Sequence, residues 1–208
     1  MSLFGHQQDS SKANPYLSDP DVRLMLEFKD GNKASFEALM RTYFPRLLNF
    51  IYRFVGNREL AEDLTQEVFI KVYHNASGYK PQAKFQTWIY TIAKNICLNE
   101  LRKHKNQTVS MDETFETQDD TLKRQFEDTK TPNVAQEMVA KEKIEVIKKA
   151  IESLPESQRM AVILRRYDNF SYEEIAKAMN TSVKAVKSLL SRSKENLKER
   201  LQNIIEDF

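Results

Sequence analysis

Five side chains near the C-terminus, Lys184, Lys187, Ser188, Ser191 and Arg192, are spaced to read a nucleic acid. At about 100° per residue they share one side of a helix whose other side carries Val183, Val186, Leu190, Leu197 and Leu201. Lys and Arg displace counterions at phosphates, and Arg, Lys and Ser reach base edges in a major groove. The same pattern also suits a solvated surface helix, so the residues upstream matter. Ser171 and Glu174 are spaced as a capping box, and Ile175, Ala176 and Met179 form the apolar stripe of a short helix. Asn180 stands at a sharp turn, where Asn tolerates a left-handed backbone, and Thr181 or Ser182 caps the next helix. The whole from Ser171 to Leu201 has the spacing of a helix-turn-helix.

Two further stripes carry polar chemistry. In FQTWIYTIAKNICLNELRKHK, residues Phe85, Ile89, Ile92, Ala93 and Ile96 face a core, while Thr91, Asn95 and Arg102 follow another line flanked by Trp88 and Asn99. Hydrogen-bonding groups, a cation and a large ring together suit unpaired bases, which stack on aromatics and are read along their edges. Just upstream, Tyr79, Lys80, Lys84 and Phe85 interleave basic and aromatic side chains. Trp88 is equally suited to a core. In RELAEDLTQEVFIKVY, Leu60, Ala61, Leu64, Val68 and Val72 cluster on one side of a helix, whereas Asp63, Gln66, Glu67 and Ile70 share the opposite arc. An apolar residue among acids fits a protein-docking surface, with rim charges to steer and a central group to bury. An isolated surface Ile gives the same pattern.

The elements that must hold these stripes are helical. The chain has 208 residues, 40% hydrophobic and 30% charged, with only 4 Gly and 6 Pro, which points to an all-α protein. Residues 1–19 are polar and aperiodic, and read as a loose tail. Helical periodicity runs from Pro20 to Phe28, from Phe36 to Tyr52, from Arg58 to about Tyr73 and from Phe85 to about His104, with a cap at Gly56-Asn57. These helices make a first domain over residues 20–105. Residues 106–137 form an acidic linker, in which Asp112, Glu113, Glu116, Asp119, Asp120, Glu127 and Asp128 outnumber Lys123, Arg124 and Lys130. Periodicity returns near Val139, Pro155 opens a helix, and a second small helical domain occupies residues 138–208.

Composition also bounds the chemistry. The formal net charge is +2, so charge distribution and not its total must argue for DNA. Cys97 is the single cysteine, and His6, His74 and His104 are scattered, which leaves no disulfide framework and no zinc cluster. No nucleophile-and-base pair is evident, so neither catalytic residues nor cofactors are expected, and Cys97 is read as a helix residue without redox duty. Asp63 and Glu67 share a face, but their surroundings suit a protein partner better than a metal. No apolar run reaches the roughly 18 residues of a membrane span and no signal peptide is evident, so a cytoplasmic protein is expected.

From about Asp21 to Leu201 the chain resembles the extracytoplasmic-function class of bacterial sigma factors, within the sigma-70 family. DLTQEVFIKVY is similar to the core-binding segment of region 2. FQTWIYTIAKNICLNELR is similar to its melting and minus-ten segment, and LPESQRMAVILRRYDNFSYEEIAKAMNTSVKAVKSLLSRSKENL to region 4. The resemblance implies a non-enzymatic subunit that binds core RNA polymerase, recognises a two-part promoter and starts melting. Asp63, Gln66, Glu67 and Ile70 would dock on the polymerase clamp helices. Tyr79, Lys80, Lys84, Trp88, Thr91, Asn95, Asn99 and Arg102 would serve the minus-ten strand, with a flipped base held before Phe85. Thr181, Ser182, Lys184, Lys187, Ser188, Ser191 and Arg192 would read the minus-thirty-five duplex. The resemblance also implies an acidic linker that threads polymerase channels and an anti-sigma protein as partner, with no small-molecule substrate and no membrane insertion. Ser191 stands where many relatives carry a basic or His residue, which bears on base preference and not on fold. The alternative from a different class is a helix-turn-helix regulator that acts on duplex DNA without polymerase.

Overall fold

The computed structural model describes residues 14–108 and 144–206, so residues 1–13, the expected linker from residue 109 onward and the helix start near Val139 lie outside them. Among the described residues all regular structure is helical. Helix α1 spans Pro20–Lys29, α2 Lys33–Val55, α3 Arg58–His74 and α4 Phe85–Thr108. A helical segment over residues 144–152, α5, precedes α6 (Glu156–Arg166), α7 (Tyr172–Met179) and α8 (Val183–Glu206).

Each boundary has a local chemical cause. The Asp19 carboxylate accepts from the amides of Asp21 and Val22 at the start of α1, with Pro20 at its first position. Asn32 and Asn57 cap α2 and α3 in the same way. Gly56 closes α2 with φ of 80°, a left-handed conformation in which a Cβ would be strained. Helix α2 runs through Pro45, as its apolar periodicity requires, and tertiary packing holds it together there. Pro155 occupies the N-cap of α6, one place before the first helical residue, and its carbonyl accepts from the amides of Gln158 and Arg159.

The first domain packs α1 to α4 around Val22, Met25, Leu39, Leu47, Ile51, Val68, Val72, Phe85 and Ile89, all fully buried. The second packs α6, α7 and α8 around Met160, Ile163, Ile175, Ala178 and Val186. The Asn196 amide donates to Gln158 Oε1 at 2.9 Å and ties α8 to α6.

The two domains share one continuous core. Helix α7 lies against α4, and α6 against α2. Tyr90 is the hinge of this contact: its ring lies 4.9 Å from Phe50 in its own domain and 4.9 Å from Phe170 in the other. Its hydroxyl donates to Asp168 Oδ1 at 2.6 Å. Around it, Lys84 Nζ donates to Glu174 Oε1 at 2.8 Å, Arg159 Nη1 to the Phe54 carbonyl at 3.0 Å, and Arg53 lies 4.3 Å over the Tyr167 ring.

The N-terminal stretch differs from expectation near its end. Residues Pro15–Ser18 form a 3-10 turn capped by Asn14, whose amide also donates to the Pro81 carbonyl at 2.8 Å. Lys177 Nζ donates to the Tyr16 hydroxyl at 2.7 Å. Aperiodic segments can fold against a ready-made surface, and periodicity is blind to that.

Candidate nucleic-acid and protein interfaces

Helix α3 buries Ala61, Leu64, Val68 and Val72, so its opposite arc faces outward. Asp63, Gln66 and Ile70 are exposed and Glu67 is partly so, with Ile70 at 56%. Glu67 pairs with Lys71 at 3.3 Å. One residue escaped the sequence reading: Tyr73, three positions after Ile70, is 50% exposed. Its ring is anchored edge-on to Phe36 at 5.6 Å and tilted against Phe28 at 5.4 Å. Its spacing from Ile70 was the available signal. The result is a rigid apolar pair, Ile70 and Tyr73, rimmed by Asp63 and Glu67, a surface that gains by burial against an apolar and basic partner.

On α4, Asn95, Asn99 and Arg102 are exposed in a row, with Thr91 and Trp88 half-buried at its upper end. Thr91 Oγ1 donates to the Thr87 carbonyl at 2.8 Å, so that hydrogen is already used within the helix. Lys80 is exposed, whereas Lys84 is held by Glu174 of the second domain. Glu174 gains from the same contact: burial pushes its pKa up, but Lys84 and the Ser171 amide outweigh this and hold it below the usual range. Tyr79 stands apart from the stripe. It is 3% exposed, its ring lies 4.8 Å from Trp88 and 6.5 Å from Phe85, and burial followed by Asp19 pushes its phenol up to about 12. Tyr79 therefore supports Trp88 from beneath in this conformation instead of presenting a free face. The loop that carries it is braced by Lys29 Nζ, which donates to the Tyr79 carbonyl at 3.0 Å.

The helix-turn-helix forms as its spacing predicts. Ser171 Oγ accepts from the Glu174 amide at 3.2 Å and Glu174 Oε2 accepts from the Ser171 amide at 2.8 Å, a complete capping box. Asn180 takes φ of 53°, and Ser182 Oγ accepts from the Ala185 amide at 3.1 Å, which makes Ser182 the cap of α8. Thr181, Ser182, Lys184, Lys187, Ser191 and Arg192 are exposed over a buried Val186. Ser188 is half-buried and accepts from Arg192 Nη2 at 2.9 Å, which directs the guanidinium along the outer face. This face is not covered by the first domain.

Two groups had no sequence signal. Lys94 lies on the side of α4 turned toward the second domain and is 9% exposed. Asp168 meets Tyr90 only because the domains dock. Cys97 is fully buried, and burial pushes its thiol up to about 12, which leaves it inert as a nucleophile. Among the described residues no group of three His, Cys, Asp or Glu could hold a metal, and no helix is long and apolar enough to cross a membrane.

A two-domain helical architecture with an outward helix-turn-helix and a separate polar stripe on α4 is that of a DNA-binding transcription protein. Residues 39–107 match the family model for sigma-70 region 2, and residues 144–197 that for sigma-70 region 4. The RNA polymerase sigma-H factor of Pseudomonas aeruginosa is 31% identical over 91% of this chain and 97% of its own length. The ECF sigma factor SigW of Bacillus subtilis is 31% identical over 86% and 95%. Among solved structures, the fold is similar to the sigma factor RpoE of Bartonella quintana in complex with the anti-sigma factor NepR. That likeness has a TM-score of 0.65 and 24% identity, and covers 80% of this chain and 96% of that one. CnrH in complex with the cytosolic domain of CnrY is matched at TM-score 0.65 and 19% identity, over 89% and 99%. The chain belongs to the sigma-70 family, in its extracytoplasmic-function class, and is a sigma factor: it directs promoter-specific initiation by RNA polymerase and is not an enzyme.

Proposed function

We propose that the three faces divide the work of this sigma factor. The Asp63, Gln66, Glu67 and Ile70 arc, with Tyr73 added, docks on core polymerase. Lys80, Lys84, Trp88, Thr91, Asn95, Asn99 and Arg102 meet the minus-ten strand, with Tyr79 as the support under Trp88. Unstacking a base costs a few kcal/mol, and capture of the extruded base above Phe85 lets binding energy drive melting. Thr181, Ser182, Lys184, Lys187, Ser188, Ser191 and Arg192 read the minus-thirty-five duplex. The first domain covers residues 20–105 and the second 138–208, and the acidic linker of residues 106–137 threads polymerase channels by mimicking a phosphate backbone. The matched RpoE structure holds an anti-sigma factor, and an anti-sigma protein is a partner consistent with the linker's reach. The protein works in the cytoplasm, where its polymerase is.

One observation carries this reading: an exposed Ile70–Tyr73 pair amid acids, on a domain separate from the duplex-reading helix. A regulator acting on duplex DNA alone has no use for such a face, and relatives matched over nearly their full length are sigma factors. Transcription with purified cognate core and the gene's own upstream promoter tests it, comparing wild type with Asp63→Ala/Ile70→Ala. Initiation that needs the wild-type chain, and core affinity at least about tenfold weaker in the double variant, is the expected result. Unchanged core affinity would overturn the assigned docking face, and absence of any promoter-dependent initiation would overturn the roles of all three.

A further inference from the structure

Docking of the domains leaves a cleft of about 870 Å³ between the C-terminal half of α4, the start of α6 and α8. Its walls bring cations from both domains: Lys94 and Arg102 from α4, Arg159 from α6 and Arg200 from α8, against two carboxylates, Glu156 and Glu199. Leu98, Leu154 and Met160 give it an apolar floor.

Three of its donors are unspent. Lys94 is more than nine-tenths buried, yet makes no hydrogen bond and no ion pair. Desolvation alone lowers its pKa, with no acid near enough to restore it. Arg159 uses Nη1 on the Phe54 carbonyl, while its Nε is fully buried without a partner. Helix α6 begins in the same place with no side-chain cap: the Gln158 and Arg159 amides turn to the Pro155 carbonyl, and those of Glu156 and Ser157 have no side-chain partner. The Lys94 stem is buried while its ammonium opens on the cleft without a counter-charge, and an anion at this point supplies one. A helix start adds amide donors and a favourable dipole to the same spot. Because the cations come from separate elements, one charge cannot satisfy them all, and the volume is that of a small-molecule site.

We propose that this interdomain cleft binds a small molecule bearing two or more phosphate groups, held between Lys94 of α4 and Arg159 with the start of α6. Such a ligand bridges the two domains and stabilises their docked arrangement by mass action. Its site exists whatever role the DNA-reading faces play. If the minus-ten assignment of Arg102 above holds, an occupied cleft also takes that side chain away from the promoter strand.

The test uses the full chain with labelled methionine methyl groups, titrated with inorganic pyrophosphate at constant ionic strength of about 0.15 M and without polymerase or DNA. Saturable shifts at Met160 and Met179, which both line the cleft, are expected. Lys94→Met weakens binding at least about tenfold, the usual cost of a lost charge-assisted hydrogen bond. It also removes an unpaired charge, so the variant folds, which circular dichroism checks. Lys103→Met, exposed on the same helix outside the cleft, and Lys184→Ala/Lys187→Ala on the recognition helix leave the affinity unchanged. Absence of saturable shifts at Met160, equal losses in Lys94→Met and Lys103→Met, or citrate binding as tightly as pyrophosphate would each overturn the proposal. None of these outcomes bears on initiation with core polymerase, so the two readings fail separately.

Discussion

Asp168 makes domain docking depend on pH, and the size of the effect follows from its surroundings. Oδ1 accepts from the Tyr90 hydroxyl at 2.6 Å, but Oδ2 is fully enclosed and has no partner. Burial pushes the carboxyl from 3.8 up to about 6, although Tyr90, Arg53 and Arg46 pull the other way. Tyr90 of the first domain closes over this carboxyl, so docking adds to the burial that raises it, and the three groups only reduce the rise. A carboxyl whose pKa rises on docking takes up a proton: docking is strongest below the ordinary value and weakens as pH climbs through about 6. Between about pH 5 and pH 8 the docking constant falls about tenfold, or about 1.4 kcal/mol. Asp168→Asn keeps an acceptor for Tyr90 and has no charge to bury, so it stays docked across that range. At about pH 8 it exceeds wild type by about 100-fold. Single-molecule energy transfer between dyes at Glu37→Cys and Glu195→Cys, both exposed and in different domains, counts docked and open molecules directly. A wild-type ratio that does not move with pH, or an Asp168→Asn ratio that follows the wild-type curve, would refute the reasoning.

Other outcomes follow from single sites. Ser171→Ala loses one side of the capping box and should cost about 1 kcal/mol, read from thermal unfolding, with a matching loss of duplex binding. Phe85→Ala empties a fully buried site against Tyr43, Tyr79 and Trp88 and should destabilise by about 3–5 kcal/mol in chemical denaturation. Arg192→Ala should lower the salt dependence of duplex binding by about one counterion if it meets a phosphate, and relax preference at one base pair if it meets a base edge. Cys97 should resist thiol reagents in the native state and react on unfolding, because burial holds the thiol up to about 12.

Much of the molecule was legible because local chemistry decides it. The capping box at Ser171, the left-handed Asn180 and the cap at Ser182 depend on neighbours within four residues, and a linear reading sees those. The apolar stripes of α3 and α4 follow from helical period alone, which is why Ile70 stood out among acids and proved exposed. Tyr73 was missed because an aromatic beside a core stripe reads as core, and only the packing of Phe28 and Phe36 shows that its outer half stays free. Tyr79 was read with the exposed basic and aromatic set because spacing cannot say which side of a loop a ring takes. Burial under Trp88 is a tertiary fact.

The helices, their caps, the helix-turn-helix and the family that these define were determined by the sequence itself, since each rests on short-range hydrogen bonds and on the period of apolar residues. The partnership of the two domains was decided only in three dimensions. Tyr90 and Asp168 are 78 residues apart, Lys84 and Glu174 are 90, and Arg159 and Phe54 are 105. No periodicity connects such pairs. Their meeting, the unpaired carboxylate oxygen it buries and the unpaired Lys94 beside the cleft arise because burial of the shared core outweighs the cost of desolvating a few charges.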